Sequence, residues 1–297
     1  MLYHCYAKVN LTLEILRKRE DGYHDLASLV HTVSLADDLR VEPSDELITR
    51  VKGLDIDPEA NLVARAARLL ASATAARRGA RLSLVKRIPV AAGLGGGSTD
   101  AATTLVALNA LWETRLTLED LSGLASRLGS DIPFFIRGGA ALMRGRGDRL
   151  EALPPLNSHW LVIVLPRHDI PNKTPRLYGS LAPDDFSSGE MTARAAARLA
   201  RHELPPEDEL INGFERAARV VFPGLALAWT EAERSCDRRF FLSGAGPALF
   251  ALARDEADAR QQLRTLSLLP LEAHVARTVK DARASPRFAA ETSIGYP

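Results

Sequence analysis

Four glycines fall within five positions at Gly93-Leu94-Gly95-Gly96-Gly97. They separate a run that alternates like a half-buried strand, Arg81-Leu82-Ser83-Leu84-Val85, from an Ala- and Leu-rich run, Asp100 to Leu111, that reads as helix. Without a Cβ, glycine lets backbone N–H groups approach a ligand closely. A helix N-terminus adds unpaired N–H groups and the positive end of a dipole. A strand, such a loop and a helix in that order make a phosphate-binding turn. The plainer alternative is a glycine-rich turn that only caps the helix. The Walker A pattern does not fit, because no lysine follows Gly93 at the required spacing. The dinucleotide pattern fails too, because position 98 is serine and not glycine. Cradling therefore falls to backbone amides and the helix dipole. Ser98 and Thr99 can add hydroxyls, ligate a magnesium ion, or simply cap the helix.

A chain of 297 residues has room for two medium domains, each with its own core. The elements suggest an α+β fold of two domains, residues 1–153 and 158–297. They are joined near Leu153-Pro154-Pro155-Leu156-Asn157 and have a ligand cleft between them. A net charge of +1 gives no global field for nucleic acid or anionic membrane. No apolar run is long enough to span a bilayer. Cys5 and Cys236 are too few for a disulfide framework or a metal cluster. With no signal-peptide pattern at the N-terminus, the expectation is a reduced, cytoplasmic protein.

Tyr6 to Ile15 alternates as a strand, placing Lys8, Asn10, Thr12 and Glu14 on one face. Glu20-Asp21-Gly22 signals a turn. Asp25 to Val33 fits helix or strand, and Leu35 to Val41 reads as an acidic turn entering a strand. Helical spacing covers Asn61 to Ala76, Leu116 to Leu128 from a Thr117 cap, Met191 to Arg201, Asn212 to Val221, Leu225 to Cys236 and Asp255 to Leu266. Further strands are expected at Gly138 to Leu142, at Trp160 to Leu165, on both sides of Ser243-Gly244-Ala245-Gly246-Pro247, and at Ala273 to Val279. The tail after Asp281 looks weakly ordered.

Two charged residues keep unusual company. Asp131, in Gly129-Ser130-Asp131-Ile132-Pro133-Phe134-Phe135, is wedged between a turn and an apolar segment. Partial desolvation there suits a general base, while the alternative is a carboxylate that caps a turn. Lys8 lies on a mostly apolar strand. It is either a snorkelling edge lysine or a cation for a nearby carboxylate, oxyanion or phosphate.

In order along the chain, Ala7-Lys8-Val9-Asn10-Leu11, Asp21-Gly22-Tyr23-His24, Pro89 to Ala102 and Gly129 to Phe134 resemble the GHMP kinases. So do Thr174-Pro175-Arg176-Leu177-Tyr178, Asn212-Gly213-Phe214-Glu215 and Leu242 to Pro247. The Asp-Gly-Tyr-His run resembles the members whose substrate carries cytidine diphosphate. The resemblance implies the two-domain GHMP architecture with its active site in the cleft. It also implies ATP-dependent phosphorylation of the tertiary 2-hydroxyl of a methylerythritol moiety, a step of non-mevalonate isoprenoid synthesis. Asp131 matches the catalytic aspartate and Lys8 the catalytic lysine. Pro89, Val90, Ala91, Ala92, Gly93, Leu94, Gly95, Gly96, Gly97, Ser98 and Thr99 match the ATP loop. Tyr23 and His24 match the cytidine site, and Asn10, Thr174 and Tyr178 match other substrate positions. ATP is the implied co-substrate and Mg²⁺ the implied metal, with no protein ligand assigned. The expected partner is a small molecule, not nucleic acid or membrane. The family often has serine where Ala245 stands, and Asn172-Lys173 looks like a local extension. A homoserine- or mevalonate-type kinase, or an inactive nucleotide- or RNA-binding module, are the competing expectations.

Overall fold

The alternating run around Lys8 extends in both directions into a long strand, β1 (Leu2–Lys18). It pairs antiparallel along the still longer β2 (His24–Ser44). A computed structural model describes residues 1–53, 61–74, 78–166 and 173–280. Asn172 and the tail from residue 281 lie outside them. β2 organises the first sheet. One edge carries β1. The other carries β5 (Ala140–Gly145) along residues 26–31 and β4 (Gly79–Val85) along residues 38–44. β3 (Leu47–Lys52) adds a parallel strand beyond β4, and β6 (Arg149–Leu153) adds an antiparallel one beyond β5.

The acidic turn expected at Leu35 to Val41 is in fact strand interior, and Asp25 to Val33 is strand and not helix. The reason is local neutralisation. Asp37 is fully buried, yet it accepts a bond from the Lys86 ammonium and another from Ile88 N–H at 2.8 Å. A paired carboxylate can stay inside a sheet that an unpaired one would break.

Helices α1 (Leu62–Thr74), α2 (Gly96–Leu111), α3 (Leu118–Ser126) and α4 (Ile132–Arg137) cover this sheet. Their shared core includes Tyr3, Leu70, Leu82, Leu105, Leu108 and Phe134. α3 starts where the sequence indicates. Thr117 Oγ1 accepts from Asp120 N–H at 3.1 Å, and the Asp120 side chain returns a bond to Thr117 N–H. α2 begins four residues before the expected Asp100, so the last two glycines of the loop are its first turn.

The second sheet has the order β10-β7-β9-β8, all antiparallel, from β7 (Trp160–Pro166), β8 (Phe241–Leu242), β9 (Leu249–Ala253) and β10 (Leu271–Arg277). The remaining helices are α5 (Lys173–Gly179), α6 (Glu190–Leu199), α7 (Glu215–Val221), α8 (Pro223–Cys236) and α9 (Glu256–Leu266). Trp229, Phe240 and Leu242 anchor the core between this sheet and α8 and α9. α7 starts at Glu215 rather than at Asn212, whose side chain is used elsewhere: it reaches the carbonyls of Leu242 and Gly244 at 2.8 and 2.9 Å.

Bridges tie the first sheet to the second half of the chain, and Val33 of β2 pairs with Thr278, just past β10. Leu13 and Ile15 form isolated bridges to Asn212 and Phe186. No helix among the described residues is long and apolar enough to cross a membrane.

Candidate active site

A cavity of about 520 Å³ opens where β1, β2, the start of α2, the start of α4 and the turn after β8 meet. Its position follows from a defect in β1. The register slips between Asn10 and Thr12, which is the signature of a β-bulge. Below the slip, Lys8 and Asn10 face the cavity; above it, Leu13 does. Thr12 and Glu14 turn instead toward α6, where Glu14 accepts Thr192 N–H at 2.6 Å and Thr12 meets the Thr192 hydroxyl at 2.9 Å. The expectation that Lys8, Asn10, Thr12 and Glu14 share a face therefore fails at the bulge. The slip leaves one cation and one amide to chemistry and gives the other two polar groups to packing.

Lys8 is 6% exposed, so it does not snorkel. Its ammonium donates to Asn10 Oδ1 and, at 2.6 Å, to Gly93 O. Burial lowers its pKa to about 8, with the Asp131 carboxylate opposing the shift. Asn10 in turn donates to Ser28 Oγ at 2.7 Å, which fixes the amide's orientation. Asp131 sits at the N-terminal boundary of α4, but its side chain accepts no capping bond from that helix. Ser130 Oγ stands 3.5 Å from its Oδ1. The carboxylate is therefore not spent on holding a turn. It lines the cavity beside Phe134 and Phe135, which meet edge to face.

The glycine loop enters this cavity through Gly93, Gly95 and Ser98. Gly93 and Gly95 have φ of 85° and 73°. Gly95 also presses on Phe135, and a Cβ there would stand 2.4 Å from the ring. Ala92 and Leu94 are buried plugs, and each also bonds through its carbonyl: Ala92 O to Ala248 N–H and Leu94 O to Lys8 N–H, both at 3.0 Å. Pro89 leads in; Val90 and Ala91 form the exposed outer arm. Gly95 is the N-cap of α2 and no side chain caps the helix. Ser98 and Thr99 are thus not caps: Ser98 lines the cavity and Thr99 is buried. The amides of Gly96, Gly97 and Ser98 open the helix.

The aromatic wall differs from a simple Tyr23-His24 pair. Tyr23 is 58% exposed at the cavity edge, with the Arg146 guanidinium 4.9 Å over its ring. His24 lies behind Tyr178, ring centroids 4.6 Å apart and stacked. Burial lowers the His24 pKa, with Lys18 adding to the effect, which favours the neutral ring. Tyr178, Thr174 and Ala245 line the same cavity.

Sequence reasoning missed the support beneath the loop. Lys86 bonds Asp37 on β2 and, at 2.7 Å, Asp100 in α2. Burial and then Asp37 push Asp100 up, while the two carboxylates outweigh burial and raise Lys86. A lysine at the end of an alternating run was visible in the sequence; its two partners, far apart in the chain, were not.

Two family models match: the GHMP kinases N terminal domain over residues 61–139, and the GHMP kinases C terminal over residues 192–268. A curated 4-diphosphocytidyl-2-C-methyl-D-erythritol kinase from Dehalococcoides mccartyi is 38% identical, over 92% of this chain and 96% of that one. The chain belongs to the 4-diphosphocytidyl-2-C-methyl-D-erythritol kinase family of GHMP kinases. A crystal structure of a 4-(cytidine 5'-diphospho)-2C-methyl-D-erythritol kinase superposes with a TM-score of 0.80 at 38% identity, covering 94% of this chain and 99% of that one. A homoserine kinase from Cytophaga hutchinsonii gives a TM-score of 0.68 at 17% identity, covering 96% of each chain, a likeness of fold alone.

Proposed function

We propose that the chain transfers the γ-phosphate of ATP to the 2-hydroxyl of 4-diphosphocytidyl-2-C-methyl-D-erythritol. The observation that carries this reading is the convergence in one cavity of a carboxylate free of capping duty, a buried ammonium and the amide-rich start of α2. In this reading residues 1–153 and 158–297 are the two domains that flank the cleft.

Asp131 takes the proton of the 2-hydroxyl as that oxygen forms its bond to the γ-phosphorus. The bond from the γ-phosphorus to the β,γ-bridging oxygen breaks, and ADP leaves. Lys8 stabilises the developing alkoxide. The amides of Gly96, Gly97 and Ser98 receive phosphate oxygens at the positive end of α2. This division suits phosphoryl transfer, which asks a protein chiefly for positioning and charge stabilisation.

Among the cavity-lining residues the carboxylate is Asp131, and Ser98 brings a hydroxyl to the loop. No cluster of three or more His, Cys, Asp or Glu suited to a metal occurs among the described residues. That donor set fits a magnesium ion held mostly by nucleotide phosphates and water, with Ser98 as the protein oxygen. The ion would offset phosphate charge.

The test is direct. Purified protein given ATP and the cytidine substrate should form ADP and phosphorylated product together. ATP turnover indifferent to that substrate, or transfer to homoserine or mevalonate instead, would overturn the reading.

The exposed Tyr23 ring and Tyr178 offer flat faces for the cytosine base, and Asn10 and Thr174 offer polar contacts on the same wall. His24 stacks on Tyr178 and steadies that ring. Stacking on an aromatic ring is worth about 1–3 kcal/mol per base. Tyr23→Ala should therefore raise KM for the cytidine substrate roughly five- to a hundredfold, with KM for ATP little changed. A rise confined to ATP would put Tyr23 on the wrong side of the cleft.

A further inference from the structure

The run Asn212-Gly213-Phe214-Glu215 brings no catalytic group to the cavity, yet its asparagine is wholly engaged. Asn212 is 7% exposed and stands behind the cavity wall, which is formed here by Leu13, Phe214, Gly244 and Ala245. Its backbone is gripped by β1 just above the bulge. Leu13 N–H donates to Ile211 O at 2.8 Å, and Gly213 N–H donates to Leu13 O at 2.7 Å. Its side chain points the other way. Nδ2 donates to Leu242 O at 2.8 Å and to Gly244 O at 2.9 Å, while Oδ1 accepts Phe214 N–H at 2.9 Å. Both amide protons and the carbonyl are therefore in use.

The segment it holds, Ser243-Gly244-Ala245-Gly246, is the second of two glycine turns at the site, the first being the loop at residues 93–97. The two turns touch. Ser243 Oγ accepts Asn10 N–H at 3.3 Å and donates to Gly93 O at 3.2 Å. Gly244 sits so close that a Cβ there would stand 3.1 Å from Lys8 Nζ, 3.1 Å from Gly93 O and 3.3 Å from Asn10 Oδ1. The Lys8 ammonium donates to those same two oxygens. Gly244 is thus the wall against which the ammonium is aimed. β8 has only two residues and ends just before this turn, so the strand ladder leaves the distance from the turn to β1 to other bonds. The Asn212 amide, whose backbone is tied to β1, makes two of them.

We infer that Asn212 is a positioning residue for the transfer step: it spans from β1 to the second glycine turn and sets the distance between Gly244 and the Lys8–Asn10 pair. This rests on the reading of Lys8 as the cation that meets the developing alkoxide. Asn212 touches no substrate in that reading and acts through Gly244. A displaced turn misaims Lys8 and lets water reach it, while the aromatic wall stays in place.

Steady-state kinetics of Asn212→Asp test this, with thermal melting to establish that the variant is folded at the assay temperature. The change keeps the shape of the side chain and the acceptor for Phe214 N–H, but replaces the donor nitrogen with an oxygen that faces two carbonyls. kcat should fall about ten- to a hundredfold, the scale of a misplacement of about 1 Å in a reacting group. KM for the cytidine substrate should hold. Burial sets Lys8 near 8, with the Asp131 carboxylate opposing that shift. An ammonium reached by water titrates higher, so the high-pH limb of kcat should move up from about 8. Asn212→Ser, which removes the amide without adding charge, should give the same pattern and serves if the first variant does not fold. A folded variant with normal kcat, a loss confined to KM, or a lost kcat with the limb unmoved overturns the inference and leaves the kinase reading intact. Failure of the unsubstituted protein to phosphorylate the cytidine substrate overturns both.

Discussion

Asp131→Asn is expected to lower kcat by about 10²–10⁴, the usual contribution of a general base. The change keeps the shape of the side chain and removes only its capacity to accept a proton. ATP affinity by calorimetry should survive, because the amides that meet the phosphates belong to α2. The melting temperature should also hold, because the Asp131 side chain caps nothing. Lys8→Met should lower kcat as well, and the double variant should lose less than the product of the two, since groups acting on one proton are not independent. Burial sets Lys8 near pH 8, so its cation is present below that pH and lost above it. The Lys8-dependent part of kcat should therefore decline as pH rises through about 8. Folding runs the other way. An ammonium with a lowered pKa costs the fold stability at low pH, on the order of 3 kcal/mol here, and the cost is relieved between pH 8 and 10.5. Stability measured against Lys8→Met should rise across that interval. Near-normal turnover of Asp131→Asn would show that positioning alone suffices.

Gly93→Ala is expected to abolish most ATP binding and to lower the melting temperature. A Cβ at Gly93 would stand 2.2 Å from Ser243 O and 3.0 Å from Gly246 N. Both are backbone atoms, so neither can swing aside. The φ of 85° adds strain of its own, of order 1–3 kcal/mol for a residue with a side chain. The two glycine turns would have to part, taking the loop away from α2. Gly123→Ala is the matched control. It lies inside α3 with nothing within 4 Å of the added carbon, and should leave ATP binding unchanged. Its stability should rise by up to about 1 kcal/mol, the helix preference of alanine. Unchanged nucleotide affinity in Gly93→Ala would mean that the cradle lies elsewhere.

Where the determinants were local, the sequence was readable. The Thr117 cap is set by residues three apart, and the strand–glycine–helix order of the loop by a few adjacent ones. The bulge in β1 was hidden, because unbroken alternation of residue types cannot show where a register slips. So Lys8 and Asn10 were placed correctly beside each other, but Thr12 and Glu14 were given the wrong company. Asp37 looked like a turn residue because its partner, Lys86, is remote in sequence. The short helix after Asp131 escaped notice because an apolar run of its length has no measurable period.

The contact between the two glycine turns has a bearing on how the molecule is made. Gly93 lies against Ser243 and Gly246, Ala92 O holds Ala248 N–H, and Ser243 Oγ donates to Gly93 O at 3.2 Å. A nascent chain that has emerged only as far as α7 already carries the lysine, the aspartate and the whole glycine run, yet lacks the turn at residues 243–248 that packs against the loop. The loop gains these contacts only once the last fifth of the polypeptide is being made.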